Sequence, residues 1–92
     1  MDSEAAKEIL ESVALELLAR HRDELLKLAA FPETRHVKNA AGQEFNVEAT
    51  ALWDDIEGQT LRVMISVDDG GIRAFLPMSK SFLVTPSGEI KS

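Results

Sequence analysis

The sequence predicts an α+β fold: one long N-terminal helix packed on a four- to five-stranded antiparallel meander sheet, in two layers, as a single domain spanning residues 1–92. Three observations predict it. The stretch before Phe31-Pro32 contains neither Gly nor Pro and repeats its apolar positions at helical spacing. Beyond that dipeptide, apolar residues alternate at period two, as half-buried antiparallel strands require. The alternating runs are separated by Gly- and Asp-containing turns too short for crossover helices. A chain of 92 residues holds one modest core and no more.

The helix is expected over about residues 3–29. Asp2 or Ser3 can cap its start, and Glu4 and Glu8 sit favourably at the positive end of the dipole. Ala6, Leu10, Val13, Ala14, Leu17, Leu18, Leu25 and Leu28 fall on one broad face, with His21 projected among them. Leu15 and Leu26 fall on the polar side, where a monomer gains nothing from them. Phe31 ends the helix because the residue before a proline avoids the helical region. Length raises a difficulty. A straight helix over this range extends about 40 Å at 1.5 Å per residue, whereas strands of seven residues span roughly 23 Å. The helix must cross the sheet steeply, break in its most polar stretch at Arg20–Glu24, or meet a second chain that covers its overhang. The expectation taken is the second chain.

The strands follow in order. Arg35–Asn39 is the first, closed by a turn containing Gly42. Residues 44–53 are the second, with Phe45, Val47, Ala49, Ala51 and Trp53 on one side and Glu44, Asn46, Glu48 and Thr50 on the other. Residues 60–67 are the third, with Leu61, Val63, Ile65 and Val67 inward. Asp68-Asp69-Gly70-Gly71 is a turn, since Gly supplies the positive φ of tight hairpins. Residues 72–76 are the fourth strand, ended by Pro77, and residues 81–85 the last. Pairing across the Gly70-Gly71 turn sets Val67 against Ile72 and Ile65 against Ala74, so that Met64 opposes Phe75 and Ser66 opposes Arg73 on the outer face. Leu52, Met64 and Phe75 then become neighbours there, with Leu83 joining them. An apolar patch of that kind on a small domain marks a partner surface.

Composition excludes several functions. The net charge is −6, which disfavours a nucleic-acid phosphate backbone and favours a basic partner. The acidity is spread: −3 over residues 1–30, −4 over 31–58 and +1 over 59–92. Five aromatic residues, with no Tyr and no basic stripe, offer little to stack bases on, and Phe45 and Trp53 fit the core. No apolar run approaches the roughly 20 residues that span a bilayer. There is no Cys, hence no disulfide framework and no thiolate metal site, and the acidic N-terminus does not resemble a secretory signal. A cytoplasmic protein is expected.

No catalytic, cofactor-binding or metal-ligating residue is assigned. His21 and His36 lack a motif partner, although His36 lies near the first strand and shares a sheet end with Asp54 or Asp55 in one arrangement. The carboxylates of Asp54-Asp55-x-Glu57 and Asp68-Asp69 fall at opposite ends of a meander, and neither loop has the ligand spacing of a calcium loop. Ser79-Lys80-Ser81 is not the S-x-x-K arrangement, and Gly70-Gly71 opens no helix that would bind phosphate. The expected function is therefore a non-catalytic protein-interaction module. It forms a homodimer or binds another, basic protein, with an inhibitor or immunity-type protein as one form. Its interface is placed at Leu52, Met64, Phe75 and Leu83. The alternative is a small-ligand binder or minor enzyme with its site between helix and sheet near His21 or His36.

Overall fold

A computed structural model describes residues 3–69 and 78–91. The architecture is the expected α+β fold, with helices on one face of an open five-stranded antiparallel meander. In chain order the elements are α1 (Ser3–Leu18), α2 (Arg22–Ala30), β1 (Glu33–Lys38), β2 (Glu44–Asp55), β3 (Thr60–Asp68), β4 (Met78–Val84) and β5 (Ile90–Lys91). The strands lie in the order β1-β2-β3-β4-β5, so β3 is central.

The single long helix of the sequence reading is two helices. At the end of α1 the Arg20 N–H donates to the Leu17 carbonyl at 3.0 Å, a tightened final turn. His21 then adopts φ −66°, ψ 152°, an extended conformation that no helix tolerates in its interior. Its carbonyl accepts from the N–H groups of Glu24 and Leu25 at 3.0 and 3.2 Å and so starts α2. The break solves the length problem within one chain. The 16 residues of α1 make about 24 Å, which a strand of seven residues covers. α1 lies over β3 and β4, and α2 turns to lie over β2. No overhang is left for a second chain to cover, and His21 leaves the apolar face for an exposed N-cap position.

The core sits between the layers. Ala6, Leu10, Val13, Ala14 and Leu17 from α1 and Leu25 and Leu28 from α2 meet the inward rows of β2, β3 and β4. Those rows are Phe45, Val47, Ala49 and Ala51; Leu61, Val63, Ile65 and Val67; and Phe82 and Val84. The alternation is strict along β3, where every odd residue from Leu61 to Val67 is buried. Leu26 reaches the edge of this core, while Leu15 stays 70% exposed. Trp53, expected inside, is 40% exposed. It ends the inward row of β2 beyond the cover of the helices, just before an irregularity at Trp53/Asp55.

The turns are fixed by side chains. Asn39 Oδ1 accepts from the N–H groups of Ala41 and Gln43 at 3.1 and 2.9 Å, with Gly42 at φ +83°. Asp55 Oδ1 accepts from the Gly58 N–H at 3.0 Å between β2 and β3.

The partner of β3 also differs from the expectation. Val67 pairs with Met78, Ile65 with Lys80 and Met64 with Ser81, not with residues of 72–76. That proposed strand, including Phe75, lies outside the described residues. The physical reason for the observed pairing is continuity. The 72–76 run is five residues closed by Pro77, which has no N–H to donate, whereas Met78–Val84 supplies seven rungs without interruption. The first and last predicted strands are displaced by one to three residues, and β5 was not expected.

Candidate functional site

The sheet has two chemically different faces. Helices cover the inner one, and no described element covers the outer one. The register sorts the outward side chains into rows across the strands. One row runs Leu52, Arg62, Leu83, Lys91. The next is Thr50, Met64, Ser81, followed by Glu48, Ser66, Ser79 with Thr34 on β1. The last two are His36, Asn46, Asp68 and then Lys38, Glu44. Of the predicted interface residues, Leu52 and Leu83 flank Arg62 in one row, and Met64 lies one outward position along β3. Leu52 is 43% exposed, Met64 and Leu83 half-buried. They form a patch with a guanidinium at its centre, a feature the sequence reading missed.

Arg62 is anchored on that face by its neighbours. Its Nε and Nη2 donate to Asp54 Oδ1 at 3.0 and 2.8 Å, and its Nη1 donates to Ser81 Oγ at 3.2 Å. The Asp54 carboxylate pairs with the cation, and the register sets Arg62 between Leu52 and Leu83 on this face. The aliphatic stem of an arginine adds to the apolar surface of its neighbours while its charged end stays paired.

The opposite end of the outer face is polar. His36 Nδ1 lies 3.1 Å from Asn46 Oδ1, and Nε2 lies 3.1 Å from Glu44 Oε1. Both neighbours are acceptors, so the doubly protonated ring satisfies them best, and the Glu44 carboxylate followed by Asn46 raises the His36 pKa. Asn46 passes the chain on, donating through Nδ2 to Asp68 Oδ1 at 3.3 Å. His36, Asn46 and Asp68 border a shallow open depression of about 470 Å³ that also takes in Thr34 and Glu48. Both ring nitrogens are engaged, so neither is presented to a substrate.

Where α1 meets β1, an ion-pair cluster fastens the layers together. Glu16 receives two parallel hydrogen bonds from Arg35, at 2.5 and 2.7 Å, and one from Arg20 at 3.1 Å. Arg20 also binds Glu33, at 2.6 and 3.3 Å. Arg35 before all else, with help from Arg20, lowers the Glu16 pKa to about 2. Glu33 is lowered as well, through Arg20. Beyond the helix break, Arg22 lies 5.8 Å over the Trp53 ring and donates to the Gln59 carbonyl at 2.8 Å. This side chain, from the first residue of α2, partly covers the end of the β2 row.

No family model, no curated protein and no solved structure matches this chain.

The geometry keeps apart what the alternative reading wanted together. Neither His21 nor His36 lies between helix and sheet. His21 is exposed at the helix break, beside Pro86, Ser87 and Gly88, and His36 faces out from the opposite side of the sheet. His36 does not share a sheet end with Asp54 or Asp55, because its partner Asn46 stands at the other end of β2. The carboxylates at 54–57 and 68–69 are at opposite ends of the sheet, as a meander requires. Among the described residues no three His, Asp or Glu side chains are grouped to hold a metal ion. No described helix is long and apolar enough to cross a membrane. The Glu16–Arg20 pair was legible as an i,i+4 signal. Arg35 and Glu33, brought in from β1, were not.

Proposed function

We propose that the chain is a non-catalytic cytoplasmic protein-interaction module, and that a second copy docks on the outer face of its sheet about Leu52, Met64 and Leu83. The observation that carries this reading is the row Leu52–Arg62–Leu83, which is symmetric about the central strand. A two-fold axis along β3 sets Leu52 of one copy over Leu83 of the other, and Met64 over its own counterpart, to within the roughly 30° rotation of packed sheets. That is the self-complementarity an isologous interface needs. Each Arg62 arrives already paired with Asp54.

The size of the face sets the strength. Five strands at about 4.8 Å spacing and seven residues of about 3.4 Å give roughly 19 by 24 Å. Two copies then bury on the order of 900 Å², just under the area of a stable interface, the size of a weak, concentration-dependent contact. Each copy carries a net charge of −6, so salt strengthens the dimer by screening repulsion. The same charge favours basic proteins as further partners, of which an inhibitor or immunity-type role is one form.

Sedimentation velocity from about 10 to 300 µM tests the reading. It expects concentration-dependent growth from monomer to dimer, abolished by Met64→Asp. A monomer at every concentration, or a dimer indifferent to Met64→Asp, overturns it.

A further inference from the structure

We infer that α1 is exchangeable between two copies of this chain. When the hinge at Ala19–His21 straightens, α1 and α2 become one helix, and each α1 takes in the other copy the place it holds in its own. This association is independent of the outer-face contact proposed above and goes beyond it.

The hinge contains nothing that forbids a helix. Ala19, Arg20 and His21 alone separate α1 from α2, and no Gly or Pro stands between Ser3 and Phe31. At His21 the φ of −66° is already helical, and the ψ of 152° turns the chain. No side-chain hydrogen bond of His21 caps α2 and so holds the bend. The N–H groups of His21, Arg22 and Asp23 meet no acceptor among the described residues. In a continuous helix they bond to the carbonyls of Leu17, Leu18 and Ala19.

The two helices are also in phase. Leu10 and Leu28 are about five whole helical turns apart, and Ala14 and Leu25, like Leu17 and Leu28, are about three. All five are buried in the core. In a straight helix they fall on one side, so α2 keeps its place on β2 while the α1 half faces a second sheet. A straight helix over residues 3–30 is about 42 Å long, whereas seven-residue strands span roughly 24 Å. The α1 half therefore reaches past its own sheet to β3 and β4 of the other copy, the strands it covers in its own.

The seat that α1 leaves fits α1. It is lined by Leu61, Val63, Ile65, Val67, Phe82 and Val84, which take up the α1 core residues. At its border Arg35 holds Glu16, and after exchange this ion pair runs between copies. Bent monomer and exchanged dimer thus share one interior, and the hinge and the concentration decide between them. Lost translational freedom favours the monomer at dilution. Exchange requires α1 to leave its seat, so the dimer forms as chains fold together at high concentration and then persists on dilution.

The test is refolding from urea at about 5 and about 500 µM, both samples then brought to about 5 µM for sedimentation velocity, where a weak outer-face contact has dissociated. A persistent dimer is expected only from the concentrated refolding. His21→Ala raises helix propensity at both hinges and should increase it roughly tenfold. His21→Pro suits the bend, but in a continuous helix it loses a hydrogen bond and clashes with the Leu17 carbonyl, so the dimer should fall at least about a hundredfold. Should the proline variant not fold, Glu16→Lys and Arg35→Glu chains refolded together take its place. Opposite charges then meet only across copies, and the mixture should yield more dimer than either chain alone. No persistent dimer from wild type or His21→Ala overturns the inference, as does one that survives His21→Pro or a mixture that gains nothing. Met64→Asp should leave the persistent dimer unchanged. A reversible dimer lost in Met64→Asp, with no persistent one, overturns the exchange and leaves the outer-face reading standing. A persistent dimer without a reversible one does the opposite.

Discussion

Replacing Glu16 with Gln removes the one carboxylate that ties α1, its C-terminal turn and β1 together. Glu16 Oε1 and Oε2 take both Arg35 bonds and share Arg20, which holds the carboxyl near 2 in place of 4.5. At about 1.4 kcal/mol per pH unit, a shift of that size corresponds to roughly 3 kcal/mol in a site sealed from water. The Glu16 side chain is 48% exposed, and solvent screening reduces the figure to about 1 kcal/mol. The sign follows from the lowered value. The stabilisation is fully present above the unfolded carboxyl's pKa and is lost as pH falls through the window from about 4.5 to about 2. Urea unfolding of the wild type and of Glu16→Gln, followed at pH 7 and again near pH 2.5, measures it. The variant should be about 1 kcal/mol weaker at neutral pH, and the gap should close in acid. A gap that is absent at pH 7, or that persists unchanged in acid, refutes the ion-pair account of how the layers are fastened.

Three further outcomes follow from particular contacts. The His36 ring should titrate above the ordinary imidazole value, followed by its carbon-bound protons in NMR, and Glu44→Gln should bring it back down. Its small contribution to stability is present below pH 6.5 and is lost as pH rises through the raised midpoint. His21→Pro should cost less than about 1 kcal/mol by thermal or urea unfolding, since His21 already has φ −66° and its N–H meets no described acceptor. A loss of about 3 kcal/mol would instead show that the helix runs through residue 21. Arg22→Ala should cost about 1 kcal/mol through the lost Gln59 bond and ring contact. It should also shift the emission of Trp53, the single tryptophan, to the red; an unchanged spectrum would contradict the stacking.

The layers and most of the core were legible because periodicity reports burial directly. Ala6, Leu10, Val13, Ala14 and Leu17 share a helical face, and Leu61 to Val67 alternate without exception. The helix break was hidden because Leu25 and Leu28 keep the phase of Leu17 across it, so only the polarity of Arg20–Glu24 hinted at it. The partner of β3 was misread for a similar reason. Ile72–Leu76 is the more apolar run, while Met78–Val84 carries Lys80 in an inward position and looks less like a strand. Leu52, Met64 and Leu83 were rightly placed on the outer face, but Arg62 between them became visible only with the register. The clamp of Glu16 on Arg35 and the cover of Arg22 over Trp53 join residues far apart in the chain, and no local pattern announces such pairs.

The central claim is that the outer sheet face is the surface through which this chain associates. Solvent paramagnetic relaxation of side-chain methyl groups, measured at about 20 and 500 µM, tests it most directly. The account predicts that the methyls of Leu52, Met64 and Leu83 become shielded at the higher concentration while Leu15, 70% exposed on the helical layer, stays as accessible as before. Methyls on the outer face that remain as open as Leu15 at both concentrations would contradict it.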